Sequence, residues 1–211
     1  MAKKNKFYVV WQGNKKGIFN TWEECKKSID NYKGAQYKSF TTFAVAKKAF
    51  SESYEDYKGK KVFKSELSPE TLATIGKPNL NAVAVDAACS GNPGIVEYQC
   101  VDVKTKKQLF HYGPLYASTN NVGEFLALVH AASFMKKNKD PRPIYTDSKI
   151  AIKWVRQKTY RTKLKKTDKN AKSFELMERA VKWLKENTIT NKILKWETKA
   201  WGEIPADFGR K

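Results

Sequence analysis

The chain has 211 residues, 41 Lys plus Arg against 21 Asp plus Glu, a formal net charge of +20 and 41% hydrophobic residues. That apolar share supports a packed core and argues against wholesale disorder, and no apolar run approaches the ~18 residues of a membrane span. Cys25, Cys89 and Cys100 form no CxxC pair, and His111 and His130 are the only histidines, so a disulfide framework, a zinc site or a histidine triad has little material.

The opening Met1-Ala-Lys-Lys-Asn-Lys6 lacks the apolar stretch of a secretion signal. With the unpaired cysteines this fits a reducing, cytoplasmic setting. The positive excess points to a polyanionic partner, with nucleic acid ahead of a membrane surface because no basic amphipathic helix stands out. A merely soluble basic protein is the competing reading. Enzymatic chemistry, if present, falls to carboxylates.

The charge divides the chain into a basic module at 1–50, a neutral linker at 51–79 and a basic module at 80–211. In the first, Phe7–Trp11 is aromatic and β-branched and reads as a strand. Gln12–Gly17 is a turn and Ile18-Phe19 starts a second strand. Thr21-Trp22-Glu23-Glu24 matches a capping box opening a helix to about Tyr32. Gln36–Phe40 is a third strand and Thr42–Phe50 a short helix. The linker shows no sustained apolar period, with a short strand expected at Lys61–Lys64.

In the second module Asn81–Ala88, Ile95–Val103 and Gln108–Ala117 read as an antiparallel meander. Asn121–Lys137 is a helix, with Phe125, Leu128, Val129 and Ala132 at helical spacing. Pro143–Thr146 is a strand, Ser148–Gln157 a helix, Arg156–Lys172 a basic connection, Ser173–Asn187 a helix and Lys192–Glu197 a last strand. Three antiparallel strands followed by αβαβ imply an α/β fold: a mixed five-stranded sheet flanked by helices, beside a small α+β N-terminal domain.

Four acids stand out. Asp86 interrupts an apolar strand on the face of Ala84 and Ala88, where a carboxylate is costly unless paired, hydrogen-bonded or metal-bound. Glu124 lies in a first helical turn, where a capping box with Asn121 would also account for it. Asp147 ends a strand and precedes a helix, the place of an N-cap. Asp207, in the C-terminal tail, reads equally as a surface acid. Strand ends and adjacent loops of a mixed sheet gather at one edge, and four carboxylates meeting there repel unless hard divalent cations relieve them.

The stretches Asp86-Ala-Ala-Cys-Ser-Gly-Asn-Pro-Gly94, Thr119-Asn-Asn-Val-Gly-Glu124, Tyr145-Thr-Asp147-Ser and Trp201-Gly-Glu-Ile-Pro-Ala-Asp207 occur in the order and context of type 1 ribonuclease H, which residues 80–211 resemble. Phe7-Tyr-Val-Val-Trp, Gly17-Ile-Phe, Thr21-Trp-Glu-Glu-Cys and Ala35-Gln-Tyr-Lys-Ser-Phe40 resemble the small hybrid-binding domain found at the N-terminus of many cellular ribonucleases H.

The resemblance implies an RNA/DNA hybrid duplex as substrate, with no membrane and no obligatory protein partner. It implies hydrolysis of the RNA strand by two Mg²⁺ ions, for which Mn²⁺ is a possible substitute, held ~3.5–4 Å apart. Asp86 would bridge the ions, Asp207 would hold the one that activates water, and Glu124 and Asp147 the one at the leaving 3′ oxygen. The products would carry a 5′ phosphate and a 3′ hydroxyl.

Glu124 would also meet a 2′-hydroxyl. Asn92, Asn120 and Asn121 would read the minor groove. Thr119, Thr162 and Thr198 would meet phosphates. Trp154 would pack on a deoxyribose, core packing being the equal alternative. Many relatives carry a histidine in a loop before the last aspartate. Here Glu203 stands in its place and resembles the substitute of a histidine-free branch. In the N-terminal domain Trp22 and Tyr37 would stack on DNA sugars and Lys38 would meet phosphate.

Overall fold

The structure is a computed structural model and describes residues 6–58, 63 and 65–209. The chain divides into two units, residues 1–64 and 65–211.

In the first unit β1 (Phe7–Gln12) is the central strand of an antiparallel sheet, flanked by β2 (Gly17–Phe19) and β3 (Gln36–Phe40). Helices α1 (Trp22–Ile29) and α2 (Phe43–Phe50) begin at Thr21 and Thr42, whose hydroxyls accept from the Glu24 and Val45 amides. Glu24 completes its side of the box one residue early, on the Asn20 N–H at 3.1 Å. Helix α1 ends at Ile29 rather than Tyr32, because Asp30 is extended and Asn31 takes a left-handed φ of 54°.

The period of two sorts this small sheet. Val9 and Phe40 pack with Ala46 and Ala49 of α2, whereas Tyr8 meets Trp22 of α1, so the helices lie on opposite faces. Tyr54 and Tyr57 pack on Trp11, which carries the packing of this unit past residue 50.

The expected strand at 61–64 falls largely outside the described residues. The rest of the linker is not featureless, since α3 (Pro69–Ile75) forms within it. Ser68 caps it, Pro69 occupies its first turn, and Gly76 ends it at φ +70°, where a side chain is disfavoured. Trp201 Nε1 donates to the Gly76 carbonyl at 2.8 Å and Ser65 Oγ to the Lys199 carbonyl at 2.7 Å. The second half of the linker is therefore held by the C-terminal segment.

The second unit is a five-stranded sheet of order β6-β5-β4-β7-β8. Strands β4 (Val83–Gly91), β5 (Gly94–Asp102) and β6 (Gln108–Ser118) form the antiparallel meander, and β7 (Ile144–Thr146) and β8 (Ile193–Lys195) add in parallel. The expected mixed α/β sheet is therefore present. Helices α4 (Asn120–Lys137), α5 (Lys149–Gln157) and α6 (Ala171–Glu186) build the larger core with Val83, Val85 and Val96. The opposite face is covered by a smaller cluster of Ala84, Tyr145, Trp196, Ile204 and Ala206, to which α7 (Thr198–Trp201) adds Trp201.

Gly123 lets α4 approach the sheet. A Cβ there would lie 2.5 Å from Val96 Cγ1 and 2.8 Å from the Ala87 Cβ, both fully or almost fully buried. Gly123→Ala gains ~1 kcal/mol of helix propensity but overpacks a core that cannot yield, at ~1–3 kcal/mol. The expected result is net destabilisation, read as a lower urea midpoint; an unchanged or higher midpoint would contradict the close packing.

Candidate active site

Asp86 sits mid-way along β4, Glu124 in the second turn of α4, and Asp147 immediately after β7. One carboxylate oxygen of each lies within 4.8 Å of the others. The topology brings them together. Strands β4 and β7 are parallel neighbours, so Asp86 and Asp147 run toward the same sheet edge, and α4 enters the sheet over β4 at that edge.

Neither Glu124 nor Asp147 occupies an N-cap position. Helix α4 is preceded by Thr119 and α5 by Ser148, whose Oγ accepts from the Ala151 amide at 3.1 Å. Neither Glu124 nor Asp147 is needed at a helix end. Glu124 is 9% exposed in a stretch of α4 that is buried on all sides from Val122 to Val129. Its Oε1 accepts from Asn120 Nδ2 at 2.8 Å, and the Ser148 side chain lies beside the same carboxylate and favours its charged form.

Burial and mutual repulsion make these acids reluctant to ionise. Desolvation, then the charges of Asp147, Glu124 and Asp207, push the Asp86 carboxyl up to about 8. Burial pushes Glu124 up to about 7, against the Ser148 hydrogen bond and with help from Asp147. Asp147 is also raised by burial, which the Lys195 charge opposes and Glu203 and Asp207 reinforce. Among the described residues no Lys or Arg forms an ion pair with Asp86, Glu124, Asp147 or Asp207. Three closely spaced oxygen donors, partly buried and lacking a cationic partner, are a donor set suited to a hard divalent cation.

Asp207 is outside the 4.8 Å group, though its charge reaches Asp86 and Asp147. Its Oδ2 accepts from the Gly209 amide at 2.9 Å. Glu203 is exposed and close enough to act on Asp147.

Asn92 and Asn121 are exposed, whereas the Asn120 amide is engaged with Glu124. Thr119 occupies the N-cap position of α4 but its hydroxyl makes no capping bond. Thr162 accepts from the Leu164 amide in a local turn, and Thr198 opens α7. A groove of about 580 Å³ along α5 and β8 is lined by Lys149, Lys153, Arg156 and Lys195.

Of the two readings of Trp154 the core one fits: it is 5% exposed, packs edge-on against Phe125 and Tyr160, and offers almost no ring face to a sugar. The N-terminal candidates lie on two faces of their sheet. Trp22 and Tyr37 are 40% and 41% exposed and lie 5.9 Å apart on the α1 face. Lys38 alternates to the α2 face, where its Nζ donates to the Tyr57 carbonyl at 2.6 Å. Ser148 was missed as a site residue because its capping role hides its contact with Glu124.

Comparison with known proteins gives two family matches. Residues 6–50 match the ribonuclease H1 N-terminal domain, and residues 79–201 match RNase H. The second match spans Asp86, Glu124 and Asp147 and stops before Glu203 and Asp207.

The ribonuclease H of Saccharomyces cerevisiae is 49% identical over 47 residues, 22% of this chain and 14% of that protein. Human ribonuclease H1 is 44% identical over 36 residues, 17% of this chain and 13% of that protein. The aligned part is thus less than a sixth of either relative's length. Among solved structures, LC11-RNase H1 from compost is 18% identical with a TM-score of 0.36, covering 57% of this chain and 88% of that one. The RNase H1 of Halobacterium salinarum is 20% identical with a TM-score of 0.34, covering 56% and 87%. With the RNase H match extending over residues 79–201, more than half of the chain, this protein belongs to the ribonuclease H family.

Proposed function

We propose that the protein is a metal-dependent endoribonuclease that hydrolyses the RNA strand of RNA/DNA hybrids, leaving 5′-phosphate and 3′-hydroxyl ends. The observation that carries this reading is the meeting of Asp86, Glu124 and Asp147 within 4.8 Å in a chain of net charge +20. Buried acids without a cationic partner are costly in a protein that needs them for nothing else, and an overall positive chain draws in a phosphate backbone despite the local negative charge.

Two Mg²⁺ ions, or Mn²⁺ in their place, would supply hydroxide at neutral pH and neutralise charge on the leaving oxygen. Asp86, Glu124, Asp147 and Asp207 would hold them. The chain's own contribution is to keep these carboxylates desolvated and fixed. Asn120 and Ser148 orient Glu124, whose remaining acceptor capacity can meet a ribose 2′-hydroxyl. Thr119, with its hydroxyl uncommitted to capping, and exposed Asn92 and Asn121 suit contacts to the duplex. Thr162 and Thr198 remain candidates for phosphate contact, and exposed Glu203 for work beside Asp147.

In the N-terminal domain the exposed pair Trp22–Tyr37 is a stacking platform for sugars or bases, worth ~1–3 kcal/mol per contact. Lys38 would approach a phosphate only by leaving the Tyr57 carbonyl. Two tethered modules on one duplex raise the effective concentration of each for the other. No described helix is long and apolar enough to cross a membrane. The free thiols of Cys25, Cys89 and Cys100 suit a cytoplasmic setting.

One assay tests the reading: end-labelled RNA/DNA hybrid, duplex RNA and duplex DNA, each with Mg²⁺ and with EDTA. The expected result is cleavage of the hybrid's RNA strand with Mg²⁺ alone. Equal cleavage of duplex DNA, or cleavage in EDTA, would overturn it. Hybrid affinity should also fall steeply with salt as phosphate contacts release counterions.

A further inference from the structure

The C-terminal segment that carries Asp207 contains no strand and no long helix, yet its position beside the sheet is defined. Within the tail Asp207 donates its N–H to the Ile204 carbonyl at 2.9 Å, and side chains from elsewhere tie the tail to the sheet. The neighbour that matters lies on β5. In the β4–β5 ladder Gln99 stands directly opposite Asp86, so both side chains leave the same face of the sheet. Gln99 Nε2 donates to the Ala206 carbonyl at 2.7 Å, one residue before Asp207.

The Ala206 carbonyl can only accept, which assigns Nε2 as the end of Gln99 that faces it, and Gln108 Nε2 donates to the other end, Oε1, at 2.6 Å. Ala206 itself is fully buried in the smaller core cluster, which gives the bond a fixed anchor. On the far side of Asp207, the ring of Phe208 meets His111 edge-on, and His111 is the ladder partner of Gln99 on β6.

We propose that Gln99, oriented by Gln108, is the positioning residue that sets Asp207 relative to Asp86. Gln99 touches neither substrate nor metal in this role. It ties the backbone of the tail, one residue before Asp207, to the strand facing Asp86, and so links two carboxylates distant in sequence. The proposal rests on the reading of Asp86 and Asp207 as metal ligands.

The test is Mn²⁺ binding to the full chain by titration calorimetry, without nucleic acid, in the native protein and in Asp207→Asn, Gln99→Met and Gln108→Met. Removing a residue that orients a ligand typically costs 10–100-fold in metal affinity. Gln99→Met is expected to weaken Mn²⁺ binding about tenfold, and Gln108→Met to weaken it in the same direction by less. In cleavage assays the loss should appear as a higher metal concentration for half-maximal rate, with KM for the hybrid unchanged. A merely structural role would instead lower the metal-free thermal midpoint and leave metal affinity alone. Native affinity in both glutamine variants, with loss in Asp207→Asn, overturns the role of Gln99 by itself. Native affinity in Asp207→Asn as well overturns the ligand reading and the proposal with it.

Discussion

Asp147→Asn is expected to lower hybrid cleavage by at least ~10²–10³-fold, the loss typical when one fixed electrostatic partner of a developing charge is removed, while hybrid binding persists. The substitution isolates charge from fold. Asparagine keeps the volume of aspartate, and α5 is capped by Ser148, so the helix start does not depend on residue 147. Lys195, whose charge opposes the upward shift of the Asp147 carboxyl, would face a neutral amide instead. Removing one negative charge beside an incoming phosphate lowers repulsion, so affinity in EDTA should be equal or slightly higher. Binding is measured by fluorescence anisotropy with a labelled hybrid and cleavage by gel under single-turnover conditions. Mg²⁺-dependent cleavage within tenfold of the native rate would remove Asp147 from the metal site. Loss of binding together with cleavage would point to a role in holding the duplex.

Much of this geometry was legible before any coordinates. The meander Val83–Ser118 and its three helices announce themselves through apolar period and turn residues, and β3 was read to the residue at Gln36–Phe40. Asp86 was legible because a lone acid in a strand of small apolar residues has no cheap explanation. Glu124 and Asp147 were ambiguous by themselves, since local rules place acids at helix starts for capping. Only the third dimension sets Glu124 inside α4, which starts at Asn120, and gives the cap of α5 to Ser148.

What could not be read depends on register or alternation across chain segments far apart. The tie from Gln99 to Ala206 joins residues 107 positions apart and leaves no periodic trace. Strand alternation sends Tyr37 and Lys38 to opposite faces, and what each meets there depends on segments distant in sequence. Trp154 shows how an aromatic on a half-exposed helix is decided by its partners, here Phe125 and Tyr160, rather than by its own spacing. Helix α3 carried legible cap signals in Ser68, Pro69 and Gly76, but seven residues are too few to show an apolar period.

Asp86→Asn should make the metal-free protein more stable at alkaline pH, and the gain should shrink steadily as the pH falls toward the range of an unfolded carboxyl. The folded state holds the Asp86 carboxyl at about 8, above the ~3.9 of an unfolded chain. Between those values the folded protein carries a proton that the unfolded chain has released, so stability declines as pH rises through the window. Glu124, held at about 7, declines in parallel over the lower part of the same window. Near pH 5 the folded Asp86 is protonated while the unfolded one is mostly ionised, so only a minor part of the difference remains, and the two proteins should melt together only below the ~3.9 of an unfolded carboxyl. Near pH 9 the native carboxylate is charged, desolvated and beside Asp147, whereas asparagine is not. Each tenfold change in proton affinity is worth ~1.4 kcal/mol, so even half of the displacement at Asp86 corresponds to about 2–3 kcal/mol. For a domain of this size that is a rise of roughly 4–12 °C in the thermal midpoint. Melting both proteins in EDTA from pH 5 to 9 checks the sign. Added Mn²⁺ should reverse the order at pH 9, because a bound cation stabilises the ionised cluster that the variant lacks. A native protein that gains stability on Asp86→Asn equally at pH 5 and pH 9 would show that packing, not the charge of this carboxylate, limits the metal-free fold.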